Sequence, residues 1–132
     1  MSWNINPSSE ELAFLMEAGF LLRDLRKNDG AREVFKGVRA LVPKSDVPEV
    51  ALGTVAFQEG DFETAEKHYR RAIQLNNRSA WAYAHLGEVA LFQMNREKAQ
   101  LYLKTATDLD PSGDHGKFAR ALTDLSNTVW FR

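Results

Sequence analysis

The sequence repeats with a period of 34 residues, and this feature restricts the fold more than any other. Gly19, Gly53 and Gly87 share the spacing. Five further columns keep it: Ala31, Ala65 and Ala99; Phe35, Tyr69 and Leu103; Val38, Ala72 and Ala106; Leu41, Leu75 and Leu109; and Pro43, Asn77 and Pro111. Six columns in register without an insertion indicate three copies of one structural unit.

Each unit predicts two antiparallel helices. A helical glycine costs about 1 kcal/mol relative to alanine, so a recurring one indicates close approach by the second helix of the pair. We expect the alanine column to face that glycine and the bulky column to fill the space between neighbouring hairpins. Proline ends a helix because it lacks the N–H. The predicted helices span residues 9–25, 30–41, 48–59, 62–75, 79–94, 96–109 and 116–131.

These elements predict one all-α domain, 1–132, folded as a right-handed superhelix with a concave side. Its hairpins span about 12–45, 46–79 and 80–113, and a capping helix covers about 116–131. The pattern resembles the tetratricopeptide repeat (TPR) family. In the third unit the matching residues are Tyr83, Leu86, Gly87, Ala90, Ala99, Ala106 and Pro111. In the second they are Leu52, Gly53, Ala56, Gly60, Ala65, Tyr69 and Ala72, whereas the first unit is degenerate.

Composition disfavours several classes of function. The net charge of −1 and the scattered basic residues disfavour binding of nucleic acid. The absence of cysteine excludes disulfides and thiolate metal sites. No apolar run is long enough to span a membrane, and no secretory signal is evident, so we expect a cytoplasmic protein. The three histidines form no metal-ligand pattern and no glycine loop suits a phosphate, so we expect neither a metal, a cofactor nor an enzyme.

The family resemblance implies that a protein or peptide partner binds along the concave groove. Carried over by the repeat register, the predicted groove residues are Met16, Phe20, Val47, Val50, Thr54, Phe57, Trp81, His85 and Phe92. Some members of the family grip the terminal carboxylate of heat-shock chaperones with cationic and amide side chains. Here those places hold Met16, Phe20, Ala51, Trp81 and His85, which excludes that clamp. The groove is therefore predicted to capture an apolar segment.

The chain also resembles the class II chaperones of bacterial type III secretion, in residues 52–62 and 84–89. That resemblance implies a translocator subunit as partner, and a needle subunit is the related alternative. A generic TPR adaptor or an assembly subunit also remains open. The terminal aromatic residues Trp130 and Phe131 either fold back onto the third unit or form a contact with a partner or within a homodimer. Trp3 belongs either to a frayed terminus or to an arm that packs on a neighbouring subunit.

Overall fold

Among residues 6–130, seven helices form three hairpins and a terminal helix, as predicted. The computed structural model describes residues 6–130, with the backbone alone for residues 129 and 130. The helices are α1 (Ser9–Asp24), α2 (Asn28–Leu41), α3 (Val47–Gln58), α4 (Phe62–Leu75), α5 (Ala80–Phe92), α6 (Arg96–Leu109) and α7 (Asp114–Trp130). No strand occurs among the described residues.

The helices form two layers that differ in how closely they pack. The hairpins are α1–α2, α3–α4 and α5–α6, and α7 packs against α5 and α6. Within residues 6–130, the backbones of successive odd-numbered helices approach one another closely, whereas those of successive even-numbered helices do not. Helices α4 and α6 meet through the long side chains of Arg70 and Tyr102, whose polar atoms are 3.0 Å apart. The array therefore curves toward the odd-numbered layer, which lines its concave side. Helix α3 lies at the centre, and every residue from Pro48 to Ala56 is buried.

The glycine column allows a bulky side chain of the same hairpin to lie directly on the helix. A Cβ atom on Gly53 would be 2.3 Å from Cε1 of Tyr69. The corresponding distances are 2.4 Å from Gly19 to Cε1 of Phe35 and 2.4 Å from Gly87 to Cδ2 of Leu103. The close approach was predicted, but its partner was not. The bulky column, rather than the alanine column, occupies the space over each glycine.

The turn within each hairpin uses one residue in the left-handed conformation. Arg26, Gly60 and Met94 have φ angles of 63°, 80° and 59°. This conformation closes the helix end because it brings the next N–H to a carbonyl of the last turn, as in the 2.9 Å bond from Asp61 N to Ala56 O. Asp61 and Ser79 also cap the helices that follow them, as expected, by accepting bonds from Thr64 N and Ala82 N.

Helix α7 covers the open end of the last hairpin. Ala119 is fully buried in a cluster with Ala84, Leu103 and Ala106, and Phe118 packs against that cluster. The predicted capping role is thus visible in the structure. Trp3 and Phe131 lie outside the described residues, and the side chain of Trp130 is likewise not described. Their predicted contacts, and the homodimer, remain predictions.

Candidate peptide-binding groove

A cavity of 310 Å³ opens on the concave side between α1, α3, α4 and α5. Its lining residues come from all four helices because the curvature of the array brings the C-terminal halves of α1 and α3 toward α5. They are Arg23, Asp24, Thr54, Phe57, Gln58, Tyr69, His85 and Glu88. The lining combines aromatic rings with charged and amide groups. The groove is therefore more polar here than the sequence predicted.

Arg23 is the only residue with a fixed positive charge in this lining, and its guanidinium is already bonded. Its Nη1 donates to Oγ1 of Thr54 at 2.9 Å, and its Nη2 lies 3.1 Å from Oδ1 of Asp24. The guanidinium carbon also lies 4.9 Å from the centre of the Phe20 ring. These contacts hold Arg23 against the wall of the cavity.

On the opposite wall, His85 and Glu88 form a pair along α5. Nδ1 of His85 lies 3.1 Å from Oε1 of Glu88, and both side chains are 17% exposed. The His85 ring stacks on the buried Tyr69 ring at a centroid distance of 5.5 Å. Burial, with a smaller contribution from the Glu88 carboxylate, raises the pKa of the Tyr69 phenol. The phenol is therefore protonated at neutral pH and can donate a hydrogen bond.

Two polar atoms of the cavity residues are buried without a hydrogen-bond partner. They are the Tyr69 hydroxyl and Oε1 of Gln58, and neither finds a partner among the described residues. Within residues 6–130, the only other buried side-chain atom without a hydrogen-bond partner is Oδ1 of Asn28, and Asn28 does not line this cavity. Buried polar groups in native proteins are normally bonded, so these atoms are exceptions to the usual pattern.

A row of aromatic rings crosses the concave side beside the cavity. Phe20 of α1 lies 6.1 Å from Trp81 of α5, although these two helices are not neighbours in the array. Trp81 stacks on His115 of α7 at 5.7 Å, and His85 lies 5.3 Å from Phe118. The row links α1 to α7 across the buried centre of α3.

A second group of aromatic rings forms one edge of the groove. Phe57 lies 5.0 Å from Phe92 and 5.3 Å from Phe62, and Phe62 lies 5.7 Å from Phe92. Phe92 is 61% exposed although it touches two rings. Phe57 lines the cavity as well, so it connects this exposed edge to the interior of the groove.

Six of the nine predicted groove residues fall into three places on the concave side. Thr54, Phe57 and His85 line the cavity, Phe20 and Trp81 form the aromatic row, and Phe92 forms the edge. Met16 and Val47 lie elsewhere. They line a separate cavity of 240 Å³ together with Leu12, Ala13, Val38, Val42, Ser45 and Pro48.

The prediction for Val50 is wrong. Its side chain is fully buried in a core cluster with Tyr69, Ala82 and Leu86, so it presents no surface to a partner. The repeat register placed Val50 on the concave side, but Trp81 packs against this cluster and the hairpins on both sides enclose α3. Thr54 is only 8% exposed, and its hydroxyl is used within the protein, where it donates to the Ala51 carbonyl at 2.7 Å.

Tyr69 and Phe62 are not among the predicted groove residues. Tyr69 belongs to the bulky repeat column, which is expected to serve packing alone. A signal was present, because the same column holds Phe35 and Leu103, and only the middle unit adds a hydroxyl group. Phe62 begins α4 outside the concave helix layer, so the repeat register gave no reason to choose it.

Two findings concern other kinds of site. No helix in the described part of the chain is long and apolar enough to cross a membrane. Between residues 6 and 130, no three His, Cys, Asp or Glu side chains are grouped so that they could hold a metal ion.

The architecture is that of an all-α repeat protein with a concave groove. A family model described as a TPR repeat matches residues 53–94, and one described as a tetratricopeptide repeat matches residues 82–112. The chain therefore carries tetratricopeptide repeats, and its fold is the predicted TPR superhelix. A comparison with curated proteins finds no match.

Solved structures with this fold include two kinds of peptide-binding protein. The type III secretion translocator chaperone SycD of Yersinia enterocolitica is 18% identical, with a TM-score of 0.79 over 92% of each chain. PcrH in complex with the chaperone-binding region of PopD is 19% identical, with a TM-score of 0.74 over 92% of this chain and 95% of that one. The first TPR domain of Spaghetti (RPAP3), bound to the HSP90 peptide SRMEEVD, is 22% identical, with a TM-score of 0.70 over 90% and 98%. At these identities the similarity shows the fold.

Proposed function

We propose that this protein is a non-catalytic, cytoplasmic chaperone of type III secretion that holds an apolar segment of a secreted subunit in its concave groove. The observation that carries the proposal is the exposed aromatic edge. Phe92 is 61% exposed, touches Phe57 and Phe62, and lies next to a cavity into which a chain segment can extend. Apolar groups exposed beside a groove favour binding of a partner.

The charges of the groove help to choose between the two kinds of peptide. An acidic peptide such as SRMEEVD requires cationic side chains that are free to bind carboxylates. In the cavity lining, the single guanidinium of Arg23 is bonded to Thr54 and Asp24, and the carboxylate of Glu88 faces the same space. The arrangement disfavours an acidic peptide and favours an apolar segment. The similarity to SycD, which is described as a translocator chaperone, supports a translocator subunit as its source.

Coexpression with translocator and needle subunits of the same genome tests the proposal. We expect one of them to form a soluble complex with the protein, and the peptide SRMEEVD to show no binding. Phe92→Ala should weaken the complex by about 2 kcal/mol, or about 30-fold in Kd, if Phe92 is a hot spot.

Phe14→Ala is the matched control because Phe14 is 71% exposed but lies on α1 away from the groove. Both substitutions remove one exposed ring, so any general effect on solubility or stability should be shared. Equal affinities of the two variants, or tight binding of SRMEEVD, would contradict the proposal.

A further inference from the structure

Helix α1 carries a row of apolar side chains on the side that faces away from the rest of the protein. Phe14, Leu21 and Leu25 are 71%, 59% and 57% exposed. Ala18 lies between Phe14 and Leu21 on the same face, because residues four and seven apart share one face of a helix. These four residues form the α1 stripe. Exposed apolar residues that lie together in this way mark an interaction surface.

The same repeat positions are buried in the other two hairpins. Leu52 and Val55 of α3 stand 34 residues after Ala18 and Leu21, and both are buried in a cluster with side chains of α2. The equivalent residues of α5 are buried in a cluster with side chains of α4; they are Leu86 and Val89. At these positions, the first helix of a hairpin receives the second helix of the hairpin before it. The α1 stripe has kept the residues of such a contact.

The two ends of the array therefore differ. Helix α7 covers the last hairpin, whereas the α1 stripe at the other end is left exposed. The terminal unit of a helical array normally has a polar outer face, which keeps the array soluble. The outer face of α1 is instead suited to packing against another helix.

The spacing of the α1 stripe is the same when the helix is read in either direction. The steps from Phe14 to Ala18, Leu21 and Leu25 are four, three and four residues. When two copies of α1 pack antiparallel, Phe14 of one copy lies opposite Leu25 of the other, and Ala18 lies opposite Leu21. A two-fold interface requires a patch that is complementary to itself, and this spacing meets that requirement.

The charges at the two ends of α1 favour the same antiparallel arrangement. Glu10 and Glu11 lie in the first turn, Arg26 and Lys27 follow the last turn, and all four residues are exposed. Antiparallel packing brings the acidic end of one copy beside the basic end of the other, whereas parallel packing brings like charges together. The two carboxylates nearest the basic end are bonded to arginine side chains of their own chain; they are Asp24 and Asp29.

We propose that the α1 stripe is the contact of a homodimer, in which the α1 helices of two copies pack antiparallel. A helix of 16 residues is about 24 Å long, too short to bury the roughly 800 Å² per partner of a standard interface, so the dimer should dissociate on dilution. Phe20 and Arg23, which face the groove, lie on another side of α1. Self-association and partner binding are therefore independent properties of the protein.

Sedimentation equilibrium from low micromolar to near-millimolar concentration tests the dimer. We expect the average mass of the wild type to rise from that of a monomer toward that of a dimer. Leu21→Glu places a carboxylate near the centre of the contact and should raise the Kd of the dimer at least about 30-fold. Leu101→Glu is the matched control, because Leu101 is 63% exposed but lies on α6, and this variant should dimerise like the wild type.

Both substitutions replace an exposed leucine with glutamate, so circular dichroism should show the helix content of the wild type in each variant. A wild-type protein that stays monomeric at every concentration would overturn the proposal. A Leu21→Glu variant that dimerises as tightly as Leu101→Glu would do the same.

The absence of cysteine from the sequence allows the orientation of the helices to be tested. Phe14→Cys and Leu25→Cys each introduce one thiol, at opposite ends of the α1 stripe. A disulfide requires Cβ atoms about 4 Å apart. Under mild oxidation, a mixture of the two variants should therefore form a dimer that contains one copy of each. In an antiparallel pair, the two Phe14 positions are about 16 Å apart, so neither variant should cross-link by itself at that rate. Rapid cross-linking of Leu25→Cys with itself would contradict the antiparallel arrangement.

Two further outcomes would assign the α1 stripe to another occupant and overturn the proposal. If Leu21→Glu leaves the mass unchanged but weakens the complex with a secreted subunit, the stripe binds that subunit. If the wild type is monomeric and Trp3→Ala dimerises, the N-terminal segment of the same chain covers the stripe.

Discussion

Replacing Gly53 with alanine tests the contact that organises the centre of the protein. The new Cβ would lie 2.3, 2.7 and 2.9 Å from Cε1, Cδ1 and Cζ of Tyr69. Carbon atoms in favourable contact are about 3.5–4.0 Å apart, so the Tyr69 ring must move by roughly 1 Å. The ring is fully buried and stacks on His85, so little space is available for that movement.

Two opposing effects determine how much Gly53→Ala changes the free energy of unfolding. Overpacking of a core costs about 1–3 kcal/mol, and the severe overlap with a rigid ring places Gly53→Ala at the upper end. Alanine is a better helix former than glycine by about 1 kcal/mol, which offsets part of that cost. We therefore expect the free energy of unfolding to fall by about 2 kcal/mol.

Gly37 provides the matched control within the same protein. It lies in α2, is exposed, and a Cβ at this position would meet nothing within 4 Å. Gly37→Ala should therefore raise the free energy of unfolding by about 0.5–1 kcal/mol, through helix propensity alone. Urea unfolding followed by circular dichroism measures both variants, and the two substitutions should change stability in opposite directions.

The same experiment can refute the reasoning. If Gly53→Ala is as stable as Gly37→Ala, the contact between Gly53 and Tyr69 does not restrict the core. Gly87→Ala adds a graded comparison, because its closest atom is Cδ2 of the flexible Leu103 side chain. The change in the free energy of unfolding should lie between those of Gly53→Ala and Gly37→Ala. A larger loss of stability than in Gly53→Ala would show that the rigidity of the Tyr69 ring does not determine the cost.

Two further predictions concern charged residues. Glu49 is 5% exposed and bonds both Arg39 and His68, at 3.3 and 2.9 Å. Glu49→Ala should therefore lower the free energy of unfolding, measured in urea, by about 2 kcal/mol, and the loss is limited because both partners are partly exposed. An unchanged unfolding midpoint would show that these ion pairs do not stabilise the contact between hairpins. Hydrogen bonds from Thr64 hold the pKa of Asp61 below its ordinary value, so Asp61 stabilises the fold above the unfolded pKa of about 3.9 and this contribution is lost as the pH falls through the folded pKa. Asp61→Asn keeps the cap but should lose less stability than the wild type between neutral pH and acid unfolding, and identical pH profiles would refute this.

The sequence determined the helical array because its signals are local or repeat between neighbouring units. The limits predicted for α4 and α6 agree with the structure, since capping residues and the repeat period mark both ends. Helix α5 is shorter than predicted because Ser79 is its cap and Met94 adopts the left-handed conformation of the turn. The glycine column also predicted close helix contact correctly.

The composition of the groove depends on the curvature of the whole array, which cannot be predicted from any single repeat. Phe20 reaches Trp81 only because the odd-numbered helices pack more closely than the even-numbered ones, and the hairpins around α3 bury Val50. The sequence predicts Tyr69 as a packing residue, and its ring does pack over Gly53. Only the tertiary structure stacks this ring on His85 of the next hairpin, because the two residues lie on different helices whose relative placement the sequence period leaves open.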